Sequence, residues 1–289
     1  MNDLLSTLLS QKPVILDGGW GTQLQNRGLP VGACPDEWNL SEPEKVGEVA
    51  AAYVEAGSDI ILTNTFGASR LMLAKHGLGD KAVAINKAGV EVSKKAAGDA
   101  AKVFASIGPC GEMLLMGNVT PEQMRDAFLE QATAMAEAGA DGIVIETMAD
   151  PGELQLAIAA AKETGLPVVG CMVFDSGADK DRTMMGTTIE DAAKAIEEAG
   201  ADVVGSNCGQ GIAGFVTVCE RLAKATSLPL WVKGNAGLPE MTDGVATYRQ
   251  TPAQFAEFIP RLVEAGASFI GGCCGTSPDF IREVCRTVK

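Results

Sequence analysis

At 289 residues the chain is long enough to bury one large α/β core, and its make-up of 46% hydrophobic and 21% charged residues excludes disordered and fibrous classes. A balance of 23 Lys and Arg against 37 Asp and Glu, formally −14, argues against a nucleic-acid groove or an anionic membrane surface as partner. The longest run without charge, residues 203–219, is rich in glycine and polar side chains, and no basic residue precedes the first leucines. Neither a membrane span nor a secretory signal is expected, and the expected compartment is the cytoplasm.

Short apolar runs alternate with segments of helical period eight times along the chain. VILDG from Val14 opens the series, followed by a helix over Glu44–Ala56. DIILTNT from Asp59 is followed by two helical segments, one near Ser69 and one from Lys81 to Ala97. KVFASIG from Lys102 precedes a helix over Pro121–Ala138, and DGIVIET from Asp141 precedes one over Pro151–Thr164. PVVGCMVF from Pro167 leads to Ile189–Ala199, and ADVVGSNC from Ala201 leads to Ile212–Ala225. PLWVKGN from Pro229 and ASFIGGCC from Ala267 lead to Pro252–Ala265 and Pro278–Val288. Prolines at 121, 151, 252 and 278 stand where helix starts favour them.

A repeat runs through the second, fourth, sixth and eighth strands: EAGSDIILTNT from Glu55, EAGADGIVIET from Glu137, EAGADVVGSNC from Glu198 and EAGASFIGGCC from Glu264. Each copy ends a helix, with its glycine suited to the cap, and begins a strand. Eight βα units with repeated joints predict a single (β/α)8 TIM barrel over residues 1–289, with its site at the carboxyl ends of the strands. Aligned, the copies put Asn64, Glu146, Asn207 and Cys273 in one column and Thr65, Thr147, Cys208 and Cys274 in the next. All eight are expected to ring the mouth. The long connections Trp20–Pro43, Pro109–Thr120 and Ala236–Thr251 share that face and can form a lid.

Cys208, Cys273 and Cys274 therefore fall at the ends of the sixth and eighth strands, close together across one intervening strand, and Gly271, Gly272 and Gly275 give the vicinal pair a pliant backbone. Three thiolates with one open position suit a catalytic zinc ion, with a redox-active vicinal disulfide or ordinary buried thiols as the alternatives. Cys34, Cys110, Cys171, Cys219 and Cys285 receive no role. His76, the one histidine, is expected on the surface after a helical stretch, which disfavours a nucleophilic triad. Neither a P-loop nor a GxGxxG opens a helix. Lys233 in WVKGN is the one lysine at a strand end, as an aldolase-like enzyme would need. Trp20 can wall a pocket or serve as a buried core tryptophan.

LDGGWGTQL from Leu16, TNTFGAS from Thr63, IETM from Ile145, GSNCG from Gly205, GNAGLP from Gly234 and GGCCGTSP from Gly271 stand in order at strand ends. As a set they resemble the zinc-dependent homocysteine S-methyltransferases over nearly the whole chain. The resemblance implies zinc held by Cys208, Cys273 and Cys274. It also implies an amino-acid site of Asp17, Gly18, Gly19 and Glu146, with Asn235 at the open zinc position when substrate is absent. Carboxylates suit the ammonium, and amides of a glycine turn suit the carboxylate. The implied reaction is methyl transfer to homocysteine through a zinc-bound thiolate, giving methionine without a histidine base.

The chain departs from the family at Gly234, where proline is common, and at GQG after Cys208. The chain stops at Lys289 with no folate or cobalamin segment, so the methyl donor is expected as a free molecule or on a separate protein. Donor candidates are S-methylmethionine, S-adenosylmethionine, a betaine, methyltetrahydrofolate and a methylated corrinoid protein. The alternatives are a methyltransferase component working with a separate corrinoid or folate protein on another substrate, and a non-catalytic zinc or redox sensor.

Overall fold

The computed structural model describes residues 3–11, 13–242 and 245–288. Positions 243 and 244, inside the expected connection 236–251, lie outside the described residues. Eight parallel strands follow the predicted runs: β1 (Val14–Ile15), β2 (Ile60–Ile61), β3 (Lys102–Ile107), β4 (Gly142–Met148), β5 (Val168–Met172), β6 (Val203–Gly211), β7 (Leu230–Asn235) and β8 (Ala267–Gly272). Each pairs with the next, β8 pairs with β1, and a parallel bridge from Leu16 to Ile60 closes the circle between β1 and β2. The fold is a (β/α)8 barrel. Among the described residues no helix is long and apolar enough to cross a membrane.

The strands read as nearly continuous apolar runs because both faces are covered. Val14, Leu16, Ile60, Leu62, Val144 and Val169 point into the barrel, where Phe104, Trp231 and Phe269 stack with ring centroids 6.0 and 5.4 Å apart. The intervening Ile15, Ile61, Val103, Ile143, Val168 and Val232 face the helices. A helix not anticipated from the sequence, Asp3–Leu9, sends Leu5 into the interior cluster and closes the amino-terminal end.

The repeat has a double structural purpose. Gly57, Gly139, Gly200 and Gly266 end their helices with φ of 101°, 90°, 86° and 105°, which only glycine adopts without penalty. Two residues later, Asp59, Asp141 and Asp202 accept from the amides of Ile15, Val103 and Val168 at 2.7, 2.8 and 2.8 Å. Three of the four even strands, β2, β4 and β6, thereby hold the start of the odd strand before them.

Three expectations change. The predicted helix 252–265 is two helices, Pro252–Ala256 and Ile259–Glu264, because Pro260 lacks the N–H that would bond back across the break. The helix expected from Ile212 starts at Phe215, since β6 runs on to Gly211 through a register shift after Asn207. The connection 236–251 carries an antiparallel hairpin, Glu240–Thr242 with Val245–Thr247. Residues 173–188, after β5, form a further long connection on the mouth face, held by bridges from Arg182 to Ser176 and Thr188.

Candidate metal and substrate site

At the mouth, Cys208 ends its expected strand with φ 61°, as does Thr147 at the matching position of the repeat. This left-handed turn is costly for residues with a Cβ and marks strain held in place by neighbours. It breaks the alternation of β6 and brings Cys208 to the vicinal pair, with its Sγ 3.7 Å from that of Cys274. All three sulfurs of Cys208, Cys273 and Cys274 lie within 4.8 Å of one another. Sulfurs about 2.3 Å from a tetrahedral zinc stand about 3.8 Å apart, so this donor set fits such an ion.

The vicinal pair lies beyond β8, which ends at Gly272, so turn geometry rather than a pliant strand turns both thiols inward. Gly271 and Gly272 serve close approach instead. A Cβ on Gly271 would stand 2.6 Å from the Asp17 carbonyl, and one on Gly272 would stand 2.3 Å from Thr276 Oγ1. Only Gly275, φ 79°, uses the freedom expected of all three, and the Tyr248 ring lies directly over it. Three crowded sulfurs do not share three negative charges. The Cys273 and Cys274 thiols donate to Cys208 and pull it down to about 3. Donation to Cys208 pushes the other two up, Cys274 to about 12. A dication is the group that would let all three ionise.

Beside the sulfurs, a cavity of about 380 Å³ reaches from the thiols past Gly18, Gly19 and Glu146 to an outer end at Asp36 and His76. Seven of the eight residues in the repeat's two columns line it. Thr65 does not, because its hydroxyl turns away to the Ser106 carbonyl at 2.8 Å. His76 is exposed, as expected, yet it belongs to this cavity's rim, in the turn that ends the short helix Arg70–Ala74. Cys34 lies at the same end, and Trp20 does wall the cavity. Cys110, Cys171 and Cys219 are buried, and Cys285 is half-buried.

Glu146 is buried, and burial raises its carboxyl, opposed by Lys233 and by a hydrogen bond from Ser106. Asn207 ties the wall together. Its Oδ1 accepts from Thr147 N at 2.8 Å, and its Nδ2 reaches Thr147 Oγ1 at 2.7 Å, Glu146 Oε2 at 3.2 Å and Cys273 Sγ at 3.8 Å. Asn235 accepts from the Cys274 amide at 3.1 Å, and its side chain helps to lower the Cys208 thiol.

Asp17 stands behind the cavity wall, fully buried. Its Oδ1 accepts from Lys233 Nζ at 2.6 Å, and its Oδ2 accepts from Trp20 Nε1 and Leu62 N, each at 2.7 Å. Gly18 and Gly19 do line the cavity, although the Gly19 amide donates to Thr276 Oγ1 at 3.0 Å. Thr276 in turn donates to the Cys273 carbonyl at 2.7 Å, and Tyr53 donates to the Gly19 carbonyl at 3.0 Å. Thr276, Tyr53, Ser106 and Tyr248 carried no assignment in the sequence. Thr276 lay within the quoted GGCCGTSP and Ser106 within the quoted strand KVFASIG. Burial by itself would lower the Lys233 ammonium, but Asp17, Glu146 and Cys273 outweigh it and raise it. A lysine so held is protonated and offers no amine for aldolase chemistry.

At the mouth of this barrel three thiols converge in a group that could hold a metal ion, beside a cavity lined by Gly18, Gly19 and Glu146. The chain belongs to the homocysteine S-methyltransferase family, whose profile matches residues 14–288. It is 32% identical over 308 residues to methionine synthase of Mycobacterium leprae (strain TN), and 30% identical over 305 residues to that of Mycobacterium tuberculosis (strain ATCC 25618 / H37Rv). Each alignment covers 99% of this chain and 25% of the relative, so the chain spans a quarter of their length. Its fold is that of the homocysteine methyltransferase MmuM from Escherichia coli. The oxidized form matches with TM-score 0.83 at 24% identity, covering 99% of each chain. The metallated form matches with TM-score 0.81 at 25% identity, covering 99% of this chain and 100% of that one.

Proposed function

We propose that this chain transfers a methyl group to the sulfur of homocysteine, giving methionine, with zinc held by Cys208, Cys273 and Cys274. The observation that carries the reading is the sulfur triad, spaced for a tetrahedral ion and set beside Glu146 at the inner end of the cavity. A bound zinc supplies the Lewis acidity that keeps a substrate thiol ionised at neutral pH, which removes the need for a histidine base.

The chain's own residues do the rest. Glu146, held by Ser106 and Asn207, accepts from the substrate ammonium, and the Gly18–Gly19 turn faces its carboxylate. Asp17 acts from behind by fixing Trp20, Lys233 and β2. Asn235 fixes the Cys274 turn through its amide. The sulfur lone pair forms the new S–CH3 bond as the bond from methyl to donor breaks, and the donor leaves with that electron pair. The site is a thiol chemistry suited to a reducing compartment, in keeping with a cytoplasmic enzyme.

A second reading concerns delivery of the methyl group. Val31, Phe66, Met113, Leu115, Met116, Met184 and Leu238 are exposed large apolar residues, all on connections at the mouth face. Such a ring favours a donor carried on a separate corrinoid or folate protein over a free one. The experiment is methionine formation from homocysteine with each donor class in turn. Turnover with a free sulfonium, betaine or folate supports direct transfer, and turnover only with a methylated carrier protein supports docking. No methionine with any donor would refute the activity.

A further inference from the structure

We infer that Lys233 recognises the α-carboxylate of the acceptor amino acid, an assignment that rests on the homocysteine reading above. Asp17 already accepts from three protein donors and does not line the cavity, whereas Lys233 does. In the sheet Lys233 lies between Asn207 of β6 and Gly271 of β8, directly below the turns that carry the cysteines. Its side chain is 2% exposed, and among the described residues Asp17 Oδ1 is the one acceptor bonded to its ammonium, which has three N–H bonds to give.

A buried ammonium with unused donors at a cavity wall calls for an anion. The Gly18–Gly19 turn supplies less than its sequence promises, because the Gly19 amide is already engaged by Thr276. From behind the cavity wall inward, Asp17, Lys233 and Glu146 stand as acid, base and acid. A zwitterionic amino acid completes the alternation, its carboxylate on Lys233 and its ammonium on Glu146, and leaves its thiol toward the sulfur triad. Lys233 then selects α-amino-acid thiols over simple thiols and amines.

The test compares binding of homocysteine with that of homocysteamine, the decarboxylated thiol that keeps the ammonium, by calorimetry on zinc-loaded protein. Lys233→Met is one variant, and Lys233→Met/Asp17→Asn is the second, which avoids stranding a buried carboxylate that could by itself unfold the chain. Wild type is expected to prefer homocysteine by about tenfold to hundredfold, the range for a charge-assisted hydrogen bond. Either folded variant is expected to lose that preference to within about threefold by weakening homocysteine alone. A folded, metal-retaining variant that keeps the preference, or one that weakens both thiols equally, overturns the assignment. Wild type that binds neither thiol refutes the homocysteine reading itself, a result distinct from both.

Discussion

Gly19 shows at the scale of one residue how the site is assembled. Its φ is −75°, open to any residue, so its requirement is space: a Cβ would stand 2.6 Å from the Cys273 carbonyl and 2.8 Å from Thr22 Oγ1. Gly19→Ala is expected to push the first turn off the cysteine turn and weaken metal affinity about tenfold or more, as overpacking of about 1–3 kcal/mol would. A competitive zinc titration with unchanged affinity would contradict this. Asp36, at the outer end, gives a second prediction at this scale. Burial raises its carboxyl to about 6, so the folded chain keeps a proton that the unfolded chain has already lost. Its contribution to stability is greatest below the ordinary carboxylate pKa and declines by up to about 3 kcal/mol as pH rises through about 6. Asp36→Asn should therefore gain stability relative to wild type between about pH 4 and pH 7 in denaturant unfolding, and a difference that does not vary with pH would be contrary. The motifs identified Gly19 and the three cysteines, but Lys233 is separated from Asp17 by 216 positions, and no local pattern joins them.

Among elements, the strands were legible because both their faces are covered and their apolar runs are bounded by helices of a different period. The repeat also carried the site, since its two columns end even-numbered strands at one height and seven of their eight residues meet the cavity. Thr65 escaped because side-chain direction at a strand end depends on the next strand's carbonyl, which sequence does not display. The helix Asp3–Leu9 escaped because it is short and is explained by the interior that it plugs. The aspartates of the repeat make a prediction of their own. Asp202→Ala removes a 2.8 Å acceptor from the Val168 amide and the 2.8 Å pairing with Lys162. Unfolding free energy should drop by about 1–3 kcal/mol with zinc content unchanged, and Asp141→Ala should do likewise. Full stability in urea would show that the brace is idle.

Over the whole molecule, the barrel separates stability from chemistry: the interior cluster and the braces lie toward the strand starts, while strain, sulfur and buried charge gather at the other end. The chain covers a quarter of the methionine synthases that it resembles, and the part it covers is a complete circle of strands. In the proposed function the three cysteines hold zinc for a thiol substrate. Elemental analysis of protein purified without added metal, paired with calorimetric titration of homocysteine in buffers of different ionisation enthalpy, tests it most directly. About one zinc per chain is expected, with homocysteine binding that releases a proton and loss of both in Cys208→Ser and Cys273→Ala. Protein that binds homocysteine without zinc, or zinc that persists in those variants, would contradict it.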